Sequence, residues 1–231
     1  MENAFVFEPG PTSCLSTYDG RLFPLRRIYC VARNYADHAV EMGHDPTQEP
    51  PFFFQKNPQN LRADGVFPYP RQSSDVHHEV ELMVAIGLGG RDISVDHALD
   101  HVWGYGVALD MTCRDLQAEA KKLGRPWMSA KSFEHSAPCS SIRAATETRH
   151  PQKGAITLDV NGHRRQTGDL DQLIWKVPEV IALLSRDFEL APGDIILTGT
   201  PSGVGPVAIG DTLDAKIEGV GEMSVKVVAA S

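Results

Sequence analysis

Several things are scarce in this chain of 231 residues, and each scarcity excludes a class of protein. No stretch approaches the roughly 18 consecutive apolar residues that a membrane-spanning helix needs. The N-terminus, Met1-Glu2-Asn3-Ala4, has no basic segment followed by an apolar core, so the expectation is a cytoplasmic protein with no secretory leader. Basic residues are outnumbered, 22 Lys and Arg against 30 Asp and Glu, for a net charge of -8. That balance argues against a nucleic-acid footprint, which needs a basic face. The four cysteines, Cys14, Cys30, Cys113 and Cys139, form no C-x-x-C pair and no zinc-type spacing. They are expected to be free thiols, with Cys30 and Cys113 as small buried residues. There is no G-x-S-x-G elbow, no Walker lysine motif and no G-x-G-x-x-G turn, which sets aside serine hydrolases, P-loop enzymes and dinucleotide binders. No internal repeat and no low-complexity tract is present.

What remains is an ordinary globular composition, 42% hydrophobic and 23% charged, with many short β-type segments. Residues 1–24 are rich in turn formers and read as an N-terminal arm or a ragged edge strand, ahead of one domain over 25–231. Buried strands are expected over 27–34 and from Phe52, with a helix over 36–43 between them, followed by a proline-rich loop to Pro51. Residues 76–87 read as one strand, 96–102 as a short helix, and 105–111 as a strand ending at Asp110. Thr112-Cys113-Arg114-Asp115 resembles a capping box with Thr112 as N-cap of a helix that stops at Gly124. Asn161-Gly162 is a type I′ hairpin signal between two strands. A helix begins at Pro178, a strand follows Pro192-Gly193-Asp194, and residues 211–228 alternate as two closing strands. Strands outnumber helices without a βαβ rhythm, so the fold class expected is α+β, rich in β structure with a few short helices.

The chemistry concentrates in His77-His78-Glu79-Val80-Glu81-Leu82. In a strand, Glu79 and Glu81 point to one side while Val80, Leu82, Val84 and Ile86 point to the other. Two like charges side by side leave two readings open: a solvent-facing acidic face, or a site for a divalent cation. Asp110, at the end of the later strand, is either a helix cap or a third ligand. Three carboxylates would suit a hard cation such as Mg²⁺ or Mn²⁺ and leave about three octahedral positions open. His38 and Glu41 are three apart on the helix expected over 36–43. They read either as a surface pair or as a base oriented by a carboxylate. The segment 36–50 is expected to act as a lid that orders over substrate. Lys131 is either a solvated lysine or an anion binder, and Arg33, Lys56 and Arg114 are further candidate anion binders. Arg114 stands in the first turn of its helix, where a cation opposes the macrodipole. Thr198-Gly199-Thr200-Pro201-Ser202-Gly203-Val204-Gly205 is either a surface turn or a loop whose backbone N–H groups and Thr200 hydroxyl take a carboxylate.

These segments, with Tyr29-Cys30-Val31-Ala32-Arg33-Asn34-Tyr35-Ala36-Asp37-His38, Leu109-Asp110-Met111-Thr112 and Ala130-Lys131-Ser132-Phe133, resemble the fumarylacetoacetate hydrolase family in their order along the chain. The resemblance implies a mixed β-sandwich roll, a homodimer, and Mg²⁺ or Mn²⁺ held by Glu79, Glu81 and Asp110. It implies catalytic roles for His38, Glu41 and Lys131. Arg33, Arg114, Gln117 and Thr200 match substrate-side positions. Ala32 departs from the family, which usually has glycine there. The closest likeness implied is to bacterial fumarylpyruvate hydrolases and acylpyruvases, acting on a small anionic 2,4-dioxo acid in gentisate-type aromatic catabolism. Oxaloacetate decarboxylases and the isomerases or decarboxylases of homoprotocatechuate catabolism share the scaffold.

Overall fold

The computed structural model describes residues 5–8, 10–36 and 50–230. The helix expected over 36–43 and the lid expected over 36–50 therefore fall, apart from their end residues, outside the described residues, and so do His38 and Glu41.

Two sheets make the body of the fold. A six-stranded sheet runs in the order Arg143–Ala144, Val102–Leu109, Val80–Ile86, Asp194–Leu197, Arg27–Ala32, Phe52–Lys56. A five-stranded sheet runs His163–Asp169, Ala155–Val160, Thr212–Ile217, Gly221–Val228, Val66–Pro68. Most neighbours are antiparallel. Asp194–Leu197 lies parallel to Arg27–Ala32, and Gly221–Val228 parallel to Val66–Pro68. The expected β-rich α+β fold is what forms.

The two sheets differ in pattern because they differ in cover. Thr212–Ile217 alternates buried and exposed residues, as a strand with one wet face must. Val80–Ile86 is buried at every position, because its sheet is covered on both sides. Val80, Leu82, Val84 and Ile86 join the main core with Ile156, Leu158, Leu213 and Ile217 of the other sheet. Met83 and Ala85 point the opposite way, into a second core with Ile28, Cys30, Ile195 and Leu197. Leu15 and Phe23 belong to this second core. They come from the hairpin of Cys14–Ser16 and Leu22–Pro24, so from Cys14 onward the N-terminal segment packs on the body. Cys30, Cys113 and Cys139 are buried, and all four cysteines are free thiols.

The hairpin at Asn161-Gly162 forms as its signal demands, with φ of 53° and 76° at the two turn residues. The helix Val177–Asp187 takes Pro178 in its first turn, where no N–H is missed. Two expectations need correction. The strand expected over 76–87 breaks at Glu79 into Val76–His78 and Val80–Ile86. The first piece pairs with Thr112–Cys113 and Gly205–Pro206 in a small sheet, and the second enters the six-stranded sheet. Glu79 is the residue at which the chain changes sheets. The capping box is also absent. Thr112 is held in strand pairing with His77, so the helix Arg114–Lys122 starts later, with Cys113 at its N-cap. The Asp115 carboxylate accepts instead from the Ser73 hydroxyl at 2.7 Å and the Ser74 N–H at 3.1 Å.

Candidate active site

Strand pairing delivers the three acids to one point. Val80 stands opposite Leu109, which brings the residues just beyond, Glu79 and Asp110, together, and the Asp110 N–H donates to the Glu79 carbonyl at 2.8 Å. Glu81 follows one pleat repeat after Glu79, on the same side. Oxygens of Glu79, Glu81 and Asp110 lie within 4.8 Å of one another, and all three residues are buried. The solvent-facing acidic strand is excluded by this burial.

Burial of three anions needs compensation, and basic side chains supply most of it. The Lys131 ammonium donates to Glu79 Oε2 and Asp110 Oδ2, both at 2.7 Å. Arg114 Nη2 is 2.6 Å from Glu79 Oε1, and its Nη1 donates to Gln117 Oε1 at 2.7 Å. Lys56 Nζ is 2.8 Å from the other Asp110 oxygen. Glu81 has no ion-pair partner among the described residues. Its carboxylate accepts one N–H, from Gly199 at 2.7 Å. Burial, with Asp110 and Glu79 beside it, pushes the Glu81 carboxyl well above its ordinary range. Burial alone would lower Lys131, but Asp110 and Glu79 outweigh it and hold that ammonium above the usual lysine value.

The donor set fits a hard divalent cation: three carboxylates, no sulfur or imidazole among them, and one of them, Glu81, in no ion pair among the described residues. Glu79, Glu81 and Asp110 would hold it.

The Gly-rich loop also has a definite task. Gly199 adopts φ of +99°, and a Cβ there would meet the Asn34 Cβ at 2.8 Å, so only glycine turns the N–H toward Glu81. Asn34 is itself pinned, donating to Trp175 O at 2.9 Å and Thr198 O at 2.8 Å. Thr200 lines the cleft, and its hydroxyl donates to the Val80 carbonyl at 2.8 Å. The loop is thus a buried clamp on the acidic strand rather than a surface turn.

The cleft above the acids encloses about 440 Å³, part of it open to solvent, and Arg33, Arg114, Gln117, Lys131 and Thr200 all line it. Arg33 is a non-glycine residue at φ of 58°, its guanidinium 5.2 Å from the Phe52 ring centroid. Arg114, suspect in the sequence for opposing its helix dipole, faces Glu79. Ala32, the departure from the family pattern, lines the same cleft.

Three features were not read from the sequence. Lys56, a candidate anion binder in the sequence, takes its anion from within the protein: its ammonium is fully buried on Asp110 and also donates to the Lys131 carbonyl. Its signal was available, because Lys56 keeps the alternation of Phe52 and Phe54. Gln166, fully buried, left no signal in a strand that reads polar throughout. Its Oε1 accepts from the Val80 N–H at 3.1 Å and contacts His78 Nδ1 at 2.9 Å. Its Nε2 donates to Thr200 Oγ1 and Pro201 O, both at 2.8 Å. The Val80 N–H can only donate, which fixes the amide orientation and puts a proton on His78 Nδ1. The third feature is the aromatic rim of Phe54 and Trp127 at the cleft, with Phe52 packed edge-on behind Trp127.

Comparison with known proteins agrees with this geometry. The family model for the fumarylacetoacetate hydrolase C-terminal region matches residues 27–228. The crystal structure of fumarylpyruvate hydrolase from Pseudomonas aeruginosa, in complex with Mn²⁺ and pyruvate, superposes with a TM-score of 0.96 at 47% identity. That match covers 98% of this chain and 100% of that one. The fumarylpyruvate hydrolase of Ralstonia sp. is 44% identical over 184 residues, covering 79% of this chain and 95% of that one. An oxaloacetate tautomerase of Escherichia coli K12 is 43% identical over 200 residues, covering 85% and 90%. With the acids, the lysine, the arginine and the glycine clamp gathered at one cleft, and with matches of this extent, the chain belongs to the fumarylacetoacetate hydrolase family.

Proposed function

We propose that this enzyme is a metal-dependent hydrolase of 2,4-dioxo acids, cleaving fumarylpyruvate to fumarate and pyruvate in gentisate-type catabolism. The observation that carries the reading is the cluster of three buried carboxylates with oxygens within 4.8 Å of one another at the floor of the cleft. Glu79, Glu81 and Asp110 against Lys56, Lys131 and Arg114 sum to no net formal charge. Adding a divalent cation makes the site positive, and a dianionic oxo acid restores the balance. The Pseudomonas aeruginosa relative, which holds Mn²⁺ and pyruvate, supports the same pairing of cation and oxo acid. The reading includes a homodimer and Mg²⁺ as an alternative ion, both implied by the family resemblance.

When bound, the cation supplies Lewis acidity to the oxygens of the 2-oxo acid. Arg33, Arg114 and Gln117 orient the acid in the cleft. His38, oriented by Glu41, takes a proton from water, roles carried by the family resemblance. The hydroxide adds to the C4 carbonyl, the C3–C4 bond breaks, and its electron pair leaves on C3 as pyruvate enolate, which is then protonated. Lys131 provides the fixed positive charge next to the oxygens that gain electrons. A second reading, tautomerisation of oxaloacetate, is favoured by the Escherichia coli relative and, like a decarboxylation, would use the same cation without attack at C4.

Purified protein with Mn²⁺ or Mg²⁺ is assayed against fumarylpyruvate, acetylpyruvate and oxaloacetate. The expected result is loss of the dienol absorbance with stoichiometric fumarate and pyruvate. Interconversion or decarboxylation of oxaloacetate, with no fumarate from fumarylpyruvate, would replace this reading by the second.

A further inference from the structure

One cation at the cleft has no part in the chemistry above. The helix Arg114–Lys122 presents Arg114, Gln117 and Lys121 at spacings of three and four, which puts them on one face, and all three line the cleft. They form a ladder leading away from the acids. Arg114 touches Glu79 at 2.6 Å, Gln117 accepts from Arg114 at 2.7 Å, and Lys121 follows at the outer end. The helical rise places Lys121 about 10 Å along the axis from Arg114.

Among the described residues no carboxylate forms an ion pair with Lys121, and its Nζ lies 5.3 Å from the Trp127 ring centroid. Trp127 is fixed in turn by Phe52, edge-on at 5.3 Å, and by Phe54 at 6.2 Å. Lys121 is exposed at the rim, and desolvation of its inner side with the nearby Arg114, Arg33 and Lys131 holds its pKa below the ordinary lysine value. Among the described residues these cations outweigh Glu79, which acts in the opposite direction. The position in the last helical turn, next to the negative end of the macrodipole, keeps the ammonium tolerable. A cleft with an acid cluster suited to a cation at its floor, and at its rim an ammonium in no ion pair among the described residues, is matched by a ligand that is anionic at both ends. The spacing along the helix is comparable to the reach of an extended dicarboxylate. The aromatic rim offers flat apolar cover for the carbons between.

We propose that Lys121, braced on Trp127, is a specificity-determining residue that receives the distal carboxylate of a doubly charged oxo acid. Singly charged acylpyruvates leave it unpaired. This rests on the reading that the 2-oxo acid head lies at Glu79, Glu81 and Asp110.

The test is a binding measurement, so it does not depend on turnover. Calorimetry on the Mn²⁺-loaded protein compares 2-oxoheptanedioate with 2-oxoheptanoate, which differ only in the terminal carboxylate. Wild type is expected to favour the dianion by about tenfold or more, the worth of one charge-assisted hydrogen bond. Lys121→Met should bring the ratio close to one, Lys121→Arg should keep most of it, and Lys122→Met, the same charge change on the neighbouring residue, should leave it intact. A wild-type ratio near one, or a preference that survives Lys121→Met, overturns the inference. So does an equal fall in Lys122→Met, which would show a general charge effect. If the hydrolase reading alone is wrong, fumarate is not formed in the activity assay while the binding ratio still falls with Lys121.

Discussion

Lys56 is an ammonium cut off from water, and its neighbours explain how it survives there. It faces Asp110, donates to the carbonyls of Met111 and Lys131, and lies 5.8 Å from the Phe133 ring centroid. Removing one member of a buried ion pair strands the other. Lys56→Met should therefore cost the cation-free protein about 3–5 kcal/mol in urea unfolding. Saturating Mn²⁺ should recover part of that loss, because the ion takes over the neutralisation of Asp110. Identical losses with and without Mn²⁺ would show that Lys56 and the ion do not share that charge. The residue scale is also where the sequence was most readable. Glu79, Glu81, Asp110, Lys131, Arg114, Gln117 and Thr200 meet at one cleft, as their order along the chain implied. Lys56 is legible as an inward-facing anion binder from its alternation with Phe52 and Phe54, but its partner Asp110 is not, because the two are brought together only by the tertiary fold.

At the scale of elements, one side chain joins parts that the sequence presents separately. Gln166 reaches from the five-stranded sheet to His78, Val80 and the loop at Thr200. Gln166→Leu should leave the Val80 N–H and the Thr200 hydroxyl short of partners and cost about 2–4 kcal/mol by urea unfolding. Burial lowers the pKa of His78, while its bond to Gln166 pulls the other way. The native state therefore binds fewer protons than the unfolded chain just below the ordinary histidine value of 6.5. Stability should be full above that pH and fall as the pH drops through 6.5 toward the depressed value. His78→Gln should flatten this slope, and an unchanged slope would assign the acid sensitivity elsewhere. Hairpins and helix ends were legible because their signals are local: Asn161-Gly162 needs positive φ, and Pro178 needs a first turn. The break at Glu79 was not, because its cause is two-residue strands at Thr112–Cys113 and Gly205–Pro206, far along the chain. The early N-cap at Thr112 failed for the same reason, since its pairing with His77 comes from outside the local sequence.

The molecule as a whole carries a net charge of -8, yet three of its acids are packed at one buried point. A cation bound only by the folded chain stabilises it by about 2.7 kcal/mol at a hundred times its dissociation constant. In a chain of this size that is a rise of several degrees in Tm. Mn²⁺ should produce this rise, EDTA should reverse it, and Asp110→Ala should abolish it. A rise that persists in the variant would place the ion elsewhere. The strand Asp194–Leu197 has a further consequence. It sits between Val80–Ile86 and Arg27–Ala32, and it is the link joining the two halves of the six-stranded sheet. During synthesis, then, the pair of Arg27–Ala32 with Phe52–Lys56 and the pair of Val80–Ile86 with Val102–Leu109 can each form early. Both wait with an open edge until residue 197 leaves the ribosome. The Gly199 N–H that holds Glu81 emerges just after it, so the acidic pocket cannot be finished at birth before that loop is made.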